Sequence, residues 1–379
     1  MFNHHMGAFH YLPFLKKQLN EIYIVHSLDA FVFSLIGIFV PIYLLTLGYS
    51  VSQVLIFYII KQLAVCVFSF LAGYVSNHFG LKHTMLMRFP VVSAFLIMLY
   101  SLDSVAFPLT LIAVLGGFQT ALYWMPLHSL FSRSSDKVHM GTEVGKLYSF
   151  PRLASVIAPL IGGFIAIFFG FSTLFIVAMI FLAVSVIPLF YSSEVKPHVN
   201  FQIKRGTMIF KRYPRYFLGV GVNHLGGITE SVIWPIFVYL ILANVLSVGM
   251  VGTLLSLGTI LFTLISGRLS DMFDRKRIIR IGAMIMIMVW LLRFFASTEA
   301  SFYLLTVMAG FFTVLILVPF TSVTYGLARR GNIDEFIIFR EMPVALGRVF
   351  ILLLALIFVN QLGFTFLFTG ISHLFLVLF

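Results

Sequence analysis

The sequence predicts an all-α polytopic membrane protein, twelve transmembrane helices in two six-helix bundles, and three observations carry that prediction. Hydrophobic residues make up 60% of the 379 and charged residues 10%, against roughly 45–50% and about 25% in a soluble domain. The apolar residues fall into runs of about 20, the length a helix needs to cross a bilayer. Lysines and arginines gather in every second connection between these runs, as they do where one side faces the cytoplasm.

With a mean hydropathy of +1.05 and 44 phenylalanines, such a chain exposes more apolar surface than a soluble fold can cover, which excludes cytosolic enzymes and disordered scaffolds. The net charge of +12 does not indicate a nucleic-acid partner, because the cations sit in short runs between apolar segments instead of on one polar face. Cys66, the only cysteine, lies inside an apolar run, which leaves no disulfide framework and no cysteine-based metal site. The opening MFNHHMGAFHYLPFLKKQLNE has no continuous apolar core and no small-residue cleavage site, so no cleavable leader is expected.

The spans cover about 22–46, 50–76, 85–102, 105–130, 146–169, 171–192, 216–243, 247–270, 278–297, 300–326, 335–360 and 363–379, with ends good to a few residues. Lys16 and Lys17 precede the first, which closes at LGYS. The second runs to Lys82 and Arg88, the third to LDSVAF, the fourth to Arg133, Lys137 and Lys146, and the fifth to FGFS. The sixth opens into a long link carrying Lys196, Lys204, Arg205, Lys211, Arg212 and Arg215. The seventh ends at LANV, the eighth at Arg275, Lys276, Arg277 and Arg280, the ninth at STEA, the tenth at Arg329 and Arg330, and the eleventh at NQLG. Cations are retained on the cytoplasmic side, so both termini are expected there.

Transporter folds are commonly built from repeated halves, and a gapless offset of 194 residues brings this chain onto itself. It pairs Pro41-Ile42 with Pro235-Ile236, Gly73 with Gly267, Ser76 with Ser270, Phe79 with Phe273 and Lys82 with Lys276. Gly170-Phe171 falls on Gly363-Phe364, one residue out of step. The expected domains are residues 1–192 and 216–379, joined by a cytoplasmic cationic linker, 193–215.

Residues 267–277, GRLSDMFDRKR, resemble the G-x-L-x-D-R-x-G-R-R signature found between helices 2 and 3, and again between 8 and 9, of the major facilitator superfamily. The twin, GYVSNHFGLKH at 73–83, carries Asn77 in place of the Asp. Arg152 with Ala158-Pro159-Leu160-Ile161-Gly162-Gly163 resembles the Gly-Pro-rich motif of the family's antiporters. The resemblance implies two bundles that rock about a central cavity, with a cytoplasmic gate at Gly73, Asn77, Gly267, Asp271, Arg275 and Arg152. The arginine that many proton-coupled members carry in helix 4 has no counterpart in LTLIAVLGGFQTALYWMPLHSLF. On physical grounds the glycines permit close helix packing, and Asp271 is suited to cap a neighbouring helix end, expected near Lys146 to Arg152.

Ionisable groups inside a membrane cost about 2.5–3.5 kcal/mol each on insertion scales and face a cavity or a partner. At about 1.5 Å per residue, Lys61, Glu230 and Arg348 fall near the midplane, while Asp29, Arg152, Arg340 and Glu341 lie in the inner third. Lys61 aligns with Leu255 and Glu230 with Ile36, so the shared scaffold requires neither charge. Glu230 is read either as a substrate or coupling carboxylate or as the partner of Lys61 or Arg348. Arg293, near an outer end, is expected to snorkel or gate. Gln119, Tyr123 and Trp124 are polar and aromatic enough to line a cavity or to anchor at an interface. His26 and Asp29, with Asn223 and His224 in the matching stretch of span 7, are suited to a divalent transition metal in a ferroportin-like alternative.

No catalytic or nucleotide-binding motif occurs, so no enzyme activity and no cofactor are expected. The reading is a monomeric secondary transporter, in a lipid bilayer, for a small solute, coupled to protons or another ion. Lys61 and Arg348 against Glu230 lean towards an anionic or zwitterionic substrate. A hydrophobic drug or lysolipid, or a transport-inactive receptor of the same fold, stays open.

Overall fold

Some of the helix breaks fall at prolines and glycines, while Pro90, Pro126, Pro151, Pro319 and Pro343 lie inside continuous helices. A proline cannot donate to the carbonyl four residues back and its ring crowds that carbonyl. Pro41 accordingly divides the first span into α1 (Met6–Ile36) and α2 (Val40–Thr46), joined by a turn at 37–39. In this computed structural model the described residues are 6–197 and 203–379, with side chains from 17 and again from 205. Linker positions 198–202 and the side chains of Lys16 and Lys204 lie outside them.

After α2 come α3 (Val51–Phe79), α4 (Leu81–Tyr100) and α5 (Leu109–Ser134). Ser50 and Gln53 close a capping box at the start of α3. Gly80, at φ 100°, turns the chain within one residue from α3 to α4, a backbone geometry that favours glycine. Then follow α6 (Met140–Ser155) and α7 (Ala158–Ser185), separated just before Pro159. Next are α8 (Ile203–Arg212) in the linker, α9 (Pro214–Ile228), a π turn at Thr229–Ile233, and α10 (Trp234–Leu242). Pro235 stands four residues after Ser231, inside that π turn, where the wider ring of backbone bonds makes room for it. The chain closes with α11 (Val245–Met272), α12 (Arg275–Phe294), α13 (Glu299–Ala328), α14 (Ile333–Ile357), α15 (Gly363–Ser372) and α16 (Leu374–Val377). Asn244, Asp274, Thr298 and Asn332 cap the starts of α11 to α14.

Among the described residues, eight stretches are long and apolar enough to cross a membrane by length and composition alone. One of them, the 51 residues Met140–Phe190, breaks at Gly170 (φ 81°, ψ 161°) and supplies two rods. The remaining three of the twelve are α12 and α14, which carry charges along their length, and the short pair α15 and α16. The repeat is also structural: adding 194 to the first residues of α2, α3 and α4 (40, 51 and 81) gives 234, 245 and 275, the first residues of α10, α11 and α12. Both halves therefore interrupt their first span at the same place.

Between the halves, α3 packs on α14, and α6 and α7 pack on α11. The linker does more than tether them. Glu194 accepts from the backbone N–H groups of Lys82 (3.0 Å) and His83 (2.9 Å) at the start of α4. Arg205 of α8 pairs with Glu335 of α14 at 3.1 Å.

Candidate functional site

A cavity of about 530 Å³ lies between the halves, within the range of about 300–1,000 Å³ typical of small-molecule sites. Four cations line it, Lys61, Arg88, Arg152 and Arg348, against two carboxylates, Asp29 and Glu230. Of the other expected residues, His26, Gln119 and Trp124 reach the wall. Tyr123 stands behind it, buried, with its ring 4.2 Å from the Arg88 guanidinium and its hydroxyl 2.8 Å from His26 Nδ1. Asn223 is off the wall.

The pairing of charges differs from expectation. Glu230 was expected beside Lys61 or Arg348, but it accepts from both terminal nitrogens of Arg293, at 2.6 and 2.9 Å. Arg293 does not snorkel. It is 0% exposed, and its guanidinium lies 4.1 Å from the Trp234 ring and 4.6 Å from the Trp290 ring, within cation–π range of both. The π turn at Thr229–Ile233 carries Glu230 into register with α12. Asp29 is taken by Arg88, whose Nη1 donates to Oδ1 at 2.5 Å while its Nε donates to Gln119 at 2.9 Å. From the sequence, with span 3 beginning at 85, Arg88 reads as a topological cation at the helix end. The helix begins at Leu81, which places Arg88 about 10 Å inside it at 1.5 Å per residue.

With both carboxylates neutralised, Lys61, Arg152 and Arg348 have no carboxylate within salt-bridge reach among the described residues. The cavity thus carries three cations outside any salt bridge among the described residues, whereas Lys61 and Arg348 against Glu230 leave one net positive charge. Arg152, expected in the cytoplasmic gate, belongs to this group: α6 starts at Met140, so Arg152 lies about 18 Å along it and donates to Ser256 of the other half at 3.4 Å. The alternative metal set is dispersed. His26 meets Tyr123, Asp29 meets Arg88, and His224 faces Arg340 (3.4 Å) and Arg348 (3.3 Å). The described residues hold no cluster of three His, Cys, Asp or Glu side chains suited to a metal ion.

On the side bearing the linker, the halves are tied by helix ends. Asp271 accepts from the N–H groups of Gly141 (2.6 Å) and Thr142 (2.8 Å) and from the Thr142 hydroxyl (2.7 Å). These are orphan donors at the positive end of α6. The sequence places such a contact near Lys146 to Arg152; it falls instead at Gly141 and Thr142, because α6 starts at Met140. Arg275 supports it at 3.6 Å. Gly267 is required here, since a Cβ on it would sit 2.9 Å from the Gly141 carbonyl oxygen. At the other polarity, Arg329 donates to the Ser132 and Ser135 carbonyls (2.5 and 2.6 Å) at the negative end of α5. Arg133 pairs with Asp334. From the sequence, Arg133 and Arg329 read as topological cations only. Gly73 is buried and Asn77 half-buried near the end of α3. Above this layer His128 meets Tyr325 at 2.6 Å and Tyr148 meets Thr321 at 3.3 Å. Among the described residues, hydrogen bonds between the halves lie on the linker side or at mid-depth, so this conformer is closed towards the linker.

The sequence profile of the Major Facilitator Superfamily matches residues 22–222 and again 216–379. The chain belongs to the major facilitator superfamily. Its structure is similar to that of the human organic anion transporter MFSD10 (TETRAN), with TM-score 0.73 and 12% identity over 96% of this chain and 99% of that one. It is also similar to FucP in the outward conformation, with TM-score 0.69 and 12% identity over 95% and 97%. At such identity the likeness is one of fold. No curated protein matches the sequence. Family and fold are those of membrane transporters, and this superfamily member is a multi-pass integral membrane protein.

Proposed function

We propose that this superfamily member is a proton-coupled secondary transporter of a small organic anion, bound in the cavity between the halves and released by alternating access. The observation that carries the reading is the set of three cations held in no salt bridge among the described residues, Lys61, Arg152 and Arg348, around one cavity. Unpaired charge in a low-dielectric wall is costly, and an anion entering the cavity removes that cost. The fold likeness to an organic anion transporter is compatible with it.

Coupling is assigned to Asp29 in preference to Glu230. Arg293 is fully buried and off the cavity wall, out of an incoming anion's reach, so Glu230 keeps its partner. Arg88 lines the cavity; an anion that draws Arg88 away leaves Asp29 free to take up a proton, and release of the anion returns it. Counterflow in proteoliposomes with anionic, neutral and cationic panels tests the substrate class, and exchange of only neutral or cationic solutes would sink it. Asp29→Asn should retain anion exchange and lose proton-driven accumulation. Accumulation equal to the parent's would remove Asp29 from the mechanism.

A further inference from the structure

We infer that the transported anion carries two acidic groups, one at each end, and spans the cavity from the α3–α14 wall to the α6–α11 wall. This rests on the anion-transport reading above and narrows its substrate class.

The three free cations are not in one place. Lys61 is on α3 and Arg348 on α14, which pack against each other, and Arg348 Nη1 donates to Gln62 beside Lys61 at 2.9 Å. Arg152 is on α6, which packs against α11 and is bonded to its Ser256. Within the first half, α3 meets α5, α5 meets α1 and α1 meets α6, so two helices stand between the walls. With helix axes about 8–10 Å apart, the walls face each other across a space wider than one carboxylate.

Each wall is short of acceptors. At the first, the other terminal nitrogen of Arg348 faces His224 Nδ1 at 3.3 Å while His224 Nε2 faces Arg340 at 3.4 Å. A neutral imidazole has one acceptor nitrogen, so at least one of these contacts sets donor against donor. The Lys61 ammonium has a ring contact with Tyr58 at 5.5 Å and no acceptor among the described residues. At the second wall the Arg152–Ser256 bond is that guanidinium's one hydrogen bond among the described residues, and the nearby Glu230 carboxylate is held by Arg293. A guanidinium with free N–H groups matches a carboxylate in paired fashion. One acidic group satisfies Lys61 and Arg348, and Arg152 calls for a second.

The test uses the full chain in detergent and in proteoliposomes, with a ladder of α,ω-dicarboxylates and the monocarboxylates of equal length as probes. Thermal stabilisation and counterflow should peak at one dicarboxylate length, at least tenfold tighter than the matched monocarboxylate, or about 1.4 kcal/mol. Arg152→Gln should abolish that preference, Arg152→Lys should restore part of it, and Lys61→Gln should weaken both classes. The inference is overturned if monocarboxylates bind as tightly as dicarboxylates, or if Arg152→Gln weakens both classes by one factor. If neither class stabilises the protein or exchanges, the anion-transport reading fails and this inference with it.

Discussion

Arg293 is a fully buried cation whose charge is met by one carboxylate, Glu230, 14% exposed at the cavity edge. Removing one partner of such a pair leaves an uncompensated charge and costs about 3–5 kcal/mol, whereas replacing both by apolar groups of similar size is often neutral. Glu230→Gln is therefore expected to lower the melting temperature of the purified protein sharply, and Glu230→Gln with Arg293→Met to recover most of the loss. Equal melting temperatures for the parent and Glu230→Gln would mean that the pair holds nothing together. The same residues show how far a single position can be read in advance. Glu230 was recognisable as a charge that the repeat does not require. Its partner was not, because the π turn beside Pro235 alters the angular phase that a regular helix would give it.

The helix ends are the parts most suited to switching, since they join and separate without disturbing either bundle. Asp271 alone satisfies three donors at the start of α6, and hydrogen bonds to a charged group contribute about 1.5–3 kcal/mol each. Asp271→Asn should shift the population towards a linker-side-open conformer, seen as longer inter-bundle distances on that side by double electron–electron resonance. Unchanged distances across substrate and pH conditions would remove Asp271 from the gate. Gly141→Val provides an independent check by sterics. A Cβ at Gly141 would lie 2.6 Å from the Gly267 carbonyl oxygen, so α6 and α11 could not close, and the same lengthening is expected with the charges intact. The motif around Asp271 advertised this contact. Arg133 and Arg329 did not stand out, because the same cations at helix ends also serve topology.

Across the molecule, the two halves differ less in their framework than in their charges. The starts of α2, α3 and α4 recur at α10, α11 and α12, but Lys61, Arg88 and Arg152 belong to the first half and Glu230, Arg293 and Arg348 to the second. We propose that the linker side is cytoplasmic, as the one-sided cations require. Lys137→Cys and Ser104→Cys, both at exposed positions on opposite faces, in a Cys66→Ser background, should be reached by an impermeant maleimide from the cytoplasm and from outside, respectively. Labelling of Ser104→Cys from the cytoplasm alone would invert the orientation.

The spans, the repeat and the pairing of Asp271 with a helix end were legible beforehand, because apolar run length, self-similarity and a short motif are properties of neighbouring positions along the chain. The charge balance of the cavity was not. From the sequence Arg88 reads as a loop cation, Arg293 as a snorkelling or gating one and Arg152 as part of the gate. Which of them compensates a carboxylate, and which stays free to hold a substrate, depends on helix starts set by Gly80 and Met140, on the turn at Thr229–Ile233, and on which helices become neighbours when two bundles close on each other. These are distances between residues up to 286 positions apart in the chain, which packing alone establishes.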